Sequence, residues 1–443
     1  MEKSLVEIVQ EAGVVGAGGA GFPTHVKINA QVEYIVVNGA ECEPLLRVDQ
    51  QLMATRGEEM LQGLKAVMEA TGATKALIGL KKKYDEAIAF FEQRLAVEPQ
   101  IDLAVLGDFY PAGDEQVLVY ETTGRIVPEG GIPLQVGVVV ANVETLINIS
   151  QALTGQPVTE KYVTVAGWVQ KPITVKVPLG VTIQELLTMA GGSLGENFAV
   201  INGGPMMGGI LEDLQTPVTK TTKGLIVLPK NHSLIARKTT ELSYILKQAR
   251  AACCRCMQCT EVCPRYLLGH ELKPDEMMQV MSFGPYIGEL VTQAFLCCEC
   301  GVCDLYQCPM GLSPRRVNML VKQELAKAGI RNNNNRKPGE ARSMRDYRRV
   351  PVKRLIARLD LTIYNNPAPL TEKDYQPQKV VLPLRQHIGV PSLPCVEVGN
   401  KVEKGDLIAV IPEKALGANL HASISGIVTA VDKVIVIEKG GEA

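Results

Sequence analysis

Residues 253–264 read Cys253-Cys254-Arg255-Cys256-Met257-Gln258-Cys259-Thr260-Glu261-Val262-Cys263-Pro264. Residues 297–309 read Cys297-Cys298-Glu299-Cys300-Gly301-Val302-Cys303-Asp304-Leu305-Tyr306-Gln307-Cys308-Pro309. Each stretch sets three cysteines two residues apart and a fourth immediately before proline. The fourth follows after three residues in the first run and four in the second. Three thiolates at that spacing wrap one face of a cubane, and the fourth of each run reaches the other cluster. The spacing predicts one [4Fe–4S] cluster on Cys253, Cys256, Cys259 and Cys308, and a second on Cys297, Cys300, Cys303 and Cys263. The proline breaks the helix and turns the fourth thiolate inward. Zinc is the alternative, but structural zinc sites typically use two cysteine pairs with a longer spacer. No C-x-x-C-H occurs, which excludes a c-type haem.

These runs hold ten of the chain's 12 cysteines in a sequence of 443 residues. Such clustering is unlike a disulfide framework, and the chain has ample apolar material for a core. Cys254 and Cys298 are expected as buried thiols beside the clusters, and Cys395 as an isolated one. The length suggests about three domains. Hydrophobic residues make up 46%, charged residues 21%, and the net charge is −1. That composition is ordinary for a globular protein and offers no basic field for nucleic acid. No apolar run reaches the ~18–20 residues of a transmembrane span. The N-terminus lacks the basic and apolar regions of a signal peptide. The reading is therefore a cytoplasmic protein with no transmembrane segment.

Around the cysteines the pattern changes several times. Over 1–155, apolar runs at 34–37, 76–80, 103–106 and 137–140 alternate with helical patterns at 49–70, 84–95, 114–120 and 143–153, which predicts an α/β domain. Residues 158–232 read as a small ββαβ unit of the β-grasp type, with strands at 162–169 and 173–177, a helix at 183–190 and a strand at 198–201. Residues 238–330 read as helical around the cysteines. Residues 331–375 read as a polar linker. Ten arginines and lysines lie between Arg331 and Arg358, either a solvated strip or a docking surface for an acidic partner. Residues 376–443 carry short Gly-broken strands resembling the barrel-sandwich fold of lipoyl and biotinyl domains, without a lysine placed for modification. The fold class is thus multidomain α/β and α+β.

Gly16-Ala17-Gly18-Gly19-Ala20-Gly21 matches G-x-G-x-x-G, but Phe22-Pro23 follows at once, which argues against a Rossmann helix. Closely spaced glycines still expose backbone N–H groups that can cradle a phosphate. Three further segments follow in order: Asn38-Gly39-Ala40-Glu41-Cys42-Glu43-Pro44, Tyr110-Pro111-Ala112-Gly113-Asp114-Glu115-Gln116 and Ala141-Asn142-Val143-Glu144-Thr145. Together, over residues 13–150, they resemble the flavin-binding subunit of respiratory complex I and its relatives, whose corresponding segments hold FMN and NADH. The resemblance implies that Gly16, Gly18, Gly19 and Gly21 form the nucleotide cradle and that Lys27 contacts FMN. It implies that Asn38, Tyr110, Gly113, Asp114, Glu115 and Asn142 line the flavin. Phe22 would stack on the NADH adenine, and Glu41 and Glu43 would meet the dinucleotide. Cys42 would be a small residue at that site. No side chain is assigned acid–base catalysis.

Two tandem clusters, together with Asn202-Gly203-Gly204-Pro205-Met206-Met207-Gly208, narrow the resemblance. They are similar to the RnfC subunit of the membrane-associated Rnf complex and to cobalamin reductases of propanediol-utilisation microcompartments. RnfC places the barrel-sandwich segment first; here it comes last, as in the cobalamin reductases. The resemblance implies electron transfer from NADH to FMN, to two [4Fe–4S] clusters and on to cobalamin. It implies a cobalamin adenosyltransferase and microcompartment shell proteins as partners, and a location within or attached to a microcompartment. An RnfC-type electron-entry subunit is the alternative. No Asp-x-His-x-x-Gly segment is present, so corrinoid contact is expected without a histidine ligand.

Overall fold

A computed structural model describes residues 3–283 and 289–440. Residues 284–288, within the helical region expected over 238–330, lie outside the described residues.

The N-terminal domain is built on a parallel sheet of β1 (Tyr34–Gly39), β2 (Lys75–Lys81), β3 (Ile101–Leu106) and, after the short β4 (Phe109–Tyr110), β5 (Val138–Asn142). Its order is β3-β2-β1-β5. Successive side chains point to opposite faces, so Ile35 and Val37 enter one core and Val36 the other. A parallel sheet is covered on both faces, which is why these strands read as unbroken apolar runs. Helices Gly57–Thr71 and Val143–Leu153 cover one face, and Glu115–Thr123 covers the other. The helix expected over 49–70 is two, Val48–Thr55 and Gly57–Thr71. Arg56 breaks it with a non-helical φ of −125° and pairs with Glu59 at 2.6 Å and Glu372 at 2.7 Å.

The expected ββαβ unit is present as β6 (Glu160–Gly167), β7 (Ile173–Pro178), helix Ile183–Met189 and β8 (Phe198–Asn202). Thr182 and Glu185 close a capping box at that helix start. Two strands not read from the sequence, β9 (Gly209–Leu211) and β10 (Gly224–Pro229), complete the sheet. β10 lies between β6 and β8, at the centre of the sheet.

Residues 331–340 of the stretch 331–375 are mostly exposed, as expected of a solvated linker, but from Arg345 onward the chain is packed into the fold. β11 (Val350–Pro351) pairs with β4, and β12 (Leu370–Thr371) pairs with β7. Helix Val352–Arg358 buries Val352, Leu355 and Ile356. Five of the ten basic residues pair with glutamates of other segments: Arg336 with Glu129, Arg342 with Glu271, Arg345 and Arg349 with Glu121, and Arg348 with Glu261. The apolar residues interleaved with the charges drive the packing, and the charges find partners along the way.

The C-terminal strands are β13 (Lys379–Pro383), β14 (Leu393–Pro394), β15 (Lys401–Val402), β16 (Leu407–Val410), β17 (Leu420–His421), β18 (Gly426–Val431) and β19 (Val434–Glu438). They form two facing sheets, β13-β19-β18-β15 and β14-β16-β17. This barrel packs back on the N-terminal half. Ile388 N–H donates to the Gly21 carbonyl at 2.9 Å, and Val381 N–H to Gly180 at 3.0 Å. Buried Lys220 donates to the Gly13 and Asn419 carbonyls, both at 2.7 Å. A domain last in sequence thus sits beside the glycine loop near the start. Among the described residues no helix is long and apolar enough to cross a membrane.

Candidate functional site

The strand order places β5 on the opposite side of β1 from β2. That reversal makes the carboxyl ends of β1 and β5 a topological switch point, where open α/β sheets take ligands. Asn38, next to last in β1, and Asn142, last in β5, are register partners. Asn38 Nδ2 donates to the Gly113 carbonyl at 2.9 Å. Asn142 caps helix Val143–Leu153 by accepting from Glu144 N–H. A Cβ on Gly18 would stand 3.5 Å from Asn142, and one on Gly113 only 2.8 Å from the Ala40 carbonyl. All four segments singled out in the sequence therefore meet at one crevice. Gly18 and Gly19 are exposed above it, and Gly19 has φ +115°. Gly16 and Gly21 close the loop through a Gly21 N–H to Gly16 carbonyl bond of 3.1 Å. Phe22 is half-buried behind them. Lys27 is held by Glu115 at 2.6 Å.

Beneath the loop lies a charged network that the sequence reading missed. Lys161 pairs with Glu144 and donates to the Ala17 carbonyl at 3.0 Å. Lys223 pairs with Asp49, whose carboxylate also accepts from Asn142 Nδ2 at 3.0 Å. Lys223 lies 3.8 Å from Glu41. Both Glu41 carboxylate oxygens are buried without a hydrogen-bond partner among the described residues. A crevice under exposed loop backbone at a topological switch point fits a phosphate-bearing group such as FMN.

Burial, reinforced by the Asp49 charge and opposed by Lys223, raises the Glu41 pKa to about 7. The native state then holds this proton where the unfolded chain, titrating near 4.5, has lost it. Glu41 thus stabilises the fold below about pH 4.5, and that contribution is lost as the pH rises to about 7. Glu41→Gln is expected to remove this fall, which urea unfolding of the flavin-free chain at several pH values measures.

Three residues expected around the flavin or dinucleotide have their polar atoms engaged elsewhere. Glu43 accepts from Met206 and Met207 N–H groups at 2.9 and 2.8 Å, on the turn after Asn202. A Cβ on Gly204 would collide with its carboxylate at 2.2 Å, so glycine permits the close approach. Tyr110 is 2% exposed and its hydroxyl donates to the Cys300 carbonyl at 2.8 Å. Asp114 caps helix Glu115–Thr123 and pairs with Arg265 at 2.5 Å. These residues join the α/β domain to the β-grasp domain and the cysteine region. Only contacts across more than 100 residues of sequence reveal that, so no local pattern announced it.

The two cysteine runs fold alike. Arg255 and Met257 have φ of 54° and 60°; the matching Glu299 and Gly301 have 59° and 78°. The longer second spacer is absorbed by a π-helical turn, Val302–Gln307, where the first run has an α-helical one, Gln258–Glu261. A π turn accommodates one extra residue. Cys253, Cys256, Cys259 and Cys308 line a single pocket with Met278, Leu312 and Pro314. Cys263 packs with Leu272, Leu296 and Cys297. Among the described residues no three metal-ligating side chains converge on one ion position. Four thiols spread around a cavity fit a polynuclear cluster. Burial and repulsion from Asp275 and the neighbouring thiols raise the Cys259 pKa to about 12, so ligation there requires the metal's positive charge. Cys254, expected to be buried, is exposed, and Cys298 is half-buried. Cys42 accepts from Gly113 N–H at 3.4 Å, beside the crevice.

Known domain families match the chain in this order. Residues 9–151 match the Nuo51 FMN-binding domain, 162–208 the SLBB domain, 252–313 the 4Fe-4S dicluster domain and 366–442 the RnfC barrel sandwich hybrid domain. A component of the Na(+)-translocating ferredoxin:NAD(+) oxidoreductase complex of Acetobacterium woodii is 36% identical over 270 residues, 60% of this chain and 58% of that protein. Cobalamin reductase PduS of Salmonella typhimurium is 46% identical over 98% of this chain and 96% of its own length. That of Citrobacter freundii is 47% identical over 97% of this chain and 95% of its own. With its flavin, SLBB, dicluster and barrel-sandwich domains in this order, the chain is an oxidoreductase that belongs to the PduS family of cobalamin reductases.

Proposed function

We propose that this protein is an NADH-dependent cobalamin reductase carrying FMN and two [4Fe–4S] clusters. The observation that carries the reading is the near full-length match to the cobalamin reductases, together with a cavity that gathers thiols from both cysteine motifs. FMN, when bound, converts a two-electron hydride donor into a one-electron source for iron–sulfur centres. The chain's residues supply position and charge. The backbone of Gly16–Gly21 and Lys27 hold the flavin phosphate, while Asn38, Gly113 and Asn142 define the crevice floor. Phe22 and Glu41 face the dinucleotide. Cys253, Cys256, Cys259 and Cys308 hold one cluster, and Cys263, Cys297, Cys300 and Cys303 the other. A reduced corrinoid is the substrate of a cobalamin adenosyltransferase, which makes that enzyme and a microcompartment shell the proposed partners.

The test is anaerobic reconstitution with iron and FMN counts, followed by NADH-driven reduction of cob(III)alamin read from its absorbance. The reading expects one FMN and about eight irons per chain, with corrinoid reduced as NADH is consumed. NADH oxidation with ferredoxin-type acceptors but none with cob(III)alamin would overturn it in favour of an RnfC-type electron-entry module.

A further inference from the structure

By their motifs the two cysteine sets look interchangeable, but their surroundings differ. The set Cys263, Cys297, Cys300 and Cys303 faces the α/β domain. Tyr110 donates to the Cys300 carbonyl at 2.8 Å. Two residues after Cys263, Arg265 reaches both Asp114 oxygens, at 2.5 and 2.9 Å. Arg265 is only 8% exposed, and its charge acts on the thiols of Cys263 and Cys298. Asp114 is itself fixed, because it accepts from Gln116 and Val117 N–H groups, both at 3.1 Å.

The other set looks outward. Cys254, Arg255, Cys256, Met257, Pro309 and Met310 around it are exposed. Among the described residues no hydrogen bond or ion pair joins Cys253, Cys256, Cys259 or Cys308 to residues 3–155.

From this asymmetry we infer that the cysteine sets are ordered, with Cys263, Cys297, Cys300 and Cys303 as the inner, flavin-facing set. The other set is outer and solvent-facing. Arg265 is the positioning residue that fixes the inner set against the α/β domain and sets its electrostatics through the pair with Asp114. The inference rests on the cluster assignment proposed above.

The pair makes a signed test possible. Cluster potential follows local charge, hydrogen bonding and exposure. Arg265→Gln leaves the Asp114 carboxylate uncompensated near the inner set, which disfavours an added electron. Asp114→Asn leaves the guanidinium uncompensated, which favours one. In the reconstituted full-length protein, EPR-monitored redox titration is expected to show a lower midpoint for one signal in Arg265→Gln and a higher one in Asp114→Asn. Arg265→Lys should return it most of the way to the wild-type value. The signal that moves should be the one lost in Cys300→Ser, while the one lost in Cys256→Ser stays in place. A loosened interface alone would move the signal the same way in both charge variants.

Same-direction shifts, no shift, or movement of the signal assigned by Cys256→Ser would overturn the inference. A measurement on the unmutated protein stands beside these. Stripping with ferricyanide and EDTA should remove the outer signal first, and simultaneous loss or inner-first loss would also overturn it. An iron count well below about eight per chain in the unmutated protein would instead defeat the cluster assignment.

Discussion

Replacing Cys263 by serine is expected to halve the bound iron, from about eight to about four atoms per chain, and to remove the centre of the second cysteine run. Cys263 closes the first motif in sequence, so a linear reading would assign its loss to the first centre. In the fold it packs with Leu296 and Cys297. Its thiol is raised by burial and by repulsion from Cys298 and Cys297. Cys308 makes the reciprocal exchange, packing with Cys253 and lining the cavity of Cys253, Cys256 and Cys259. The two variants should therefore give crossed phenotypes. Cys263→Ser should lose the EPR signal lost in Cys300→Ser, and Cys308→Ser the signal lost in Cys256→Ser. NADH-driven corrinoid reduction should fall to background in both. Matching signals within each motif would show that the fourth cysteines do not cross.

The largest stability effect is expected at Glu144. Its side chain is 1% exposed and that of its partner Lys161 2%. Glu144 also accepts from Tyr162 N–H at 3.1 Å, and Lys161 donates to the Ala17 carbonyl at 3.0 Å. The pair thus ties helix Val143–Leu153 to β6 and anchors the glycine loop from below. Burial pushes the Lys161 pKa down, and the Glu144 carboxylate is the chief opposing influence. Glu144→Leu would leave an unpaired ammonium inside, a change that destabilises by about 3–5 kcal/mol. The urea midpoint of the first unfolding transition should fall accordingly, and FMN retained per chain should fall with it. Adding Lys161→Met should recover most of that stability, because an apolar pair of similar size escapes the desolvation penalty. Flavin retention should recover less, since the added Lys161→Met removes the donor to the Ala17 carbonyl. Equal stability of the single and double variants would show that the buried charge is not the cause.

Much of the architecture was legible because it rests on short-range patterns. The parallel strands announced themselves as apolar runs, since both sheet faces are buried. The cysteine runs carry their meaning in spacing, because a cluster needs thiolates on a tight turn. The later part of the stretch 331–375 shows where such reading stops short. Its arginines dominated the composition, while Val350, Val352, Leu355 and Ile356 among them supplied the packing. β10 is a local apolar run too, but its central place in the sheet is decided by pairing with β6 and β8.

The sequence by itself determined the domain order, the eight cysteines and the four segments that line the crevice. Periodicity and ligand spacing are local properties, and neighbouring residues suffice to express them. The tertiary structure alone decided that Asn38 and Asn142 stand side by side, that Lys161 and Lys223 lie beneath the glycine loop, and that Tyr110 and Asp114 reach the second cysteine set. Those contacts join residues remote in the chain. They depend on strand order and domain packing, which follow from burying all the apolar faces at once and from no single stretch of sequence.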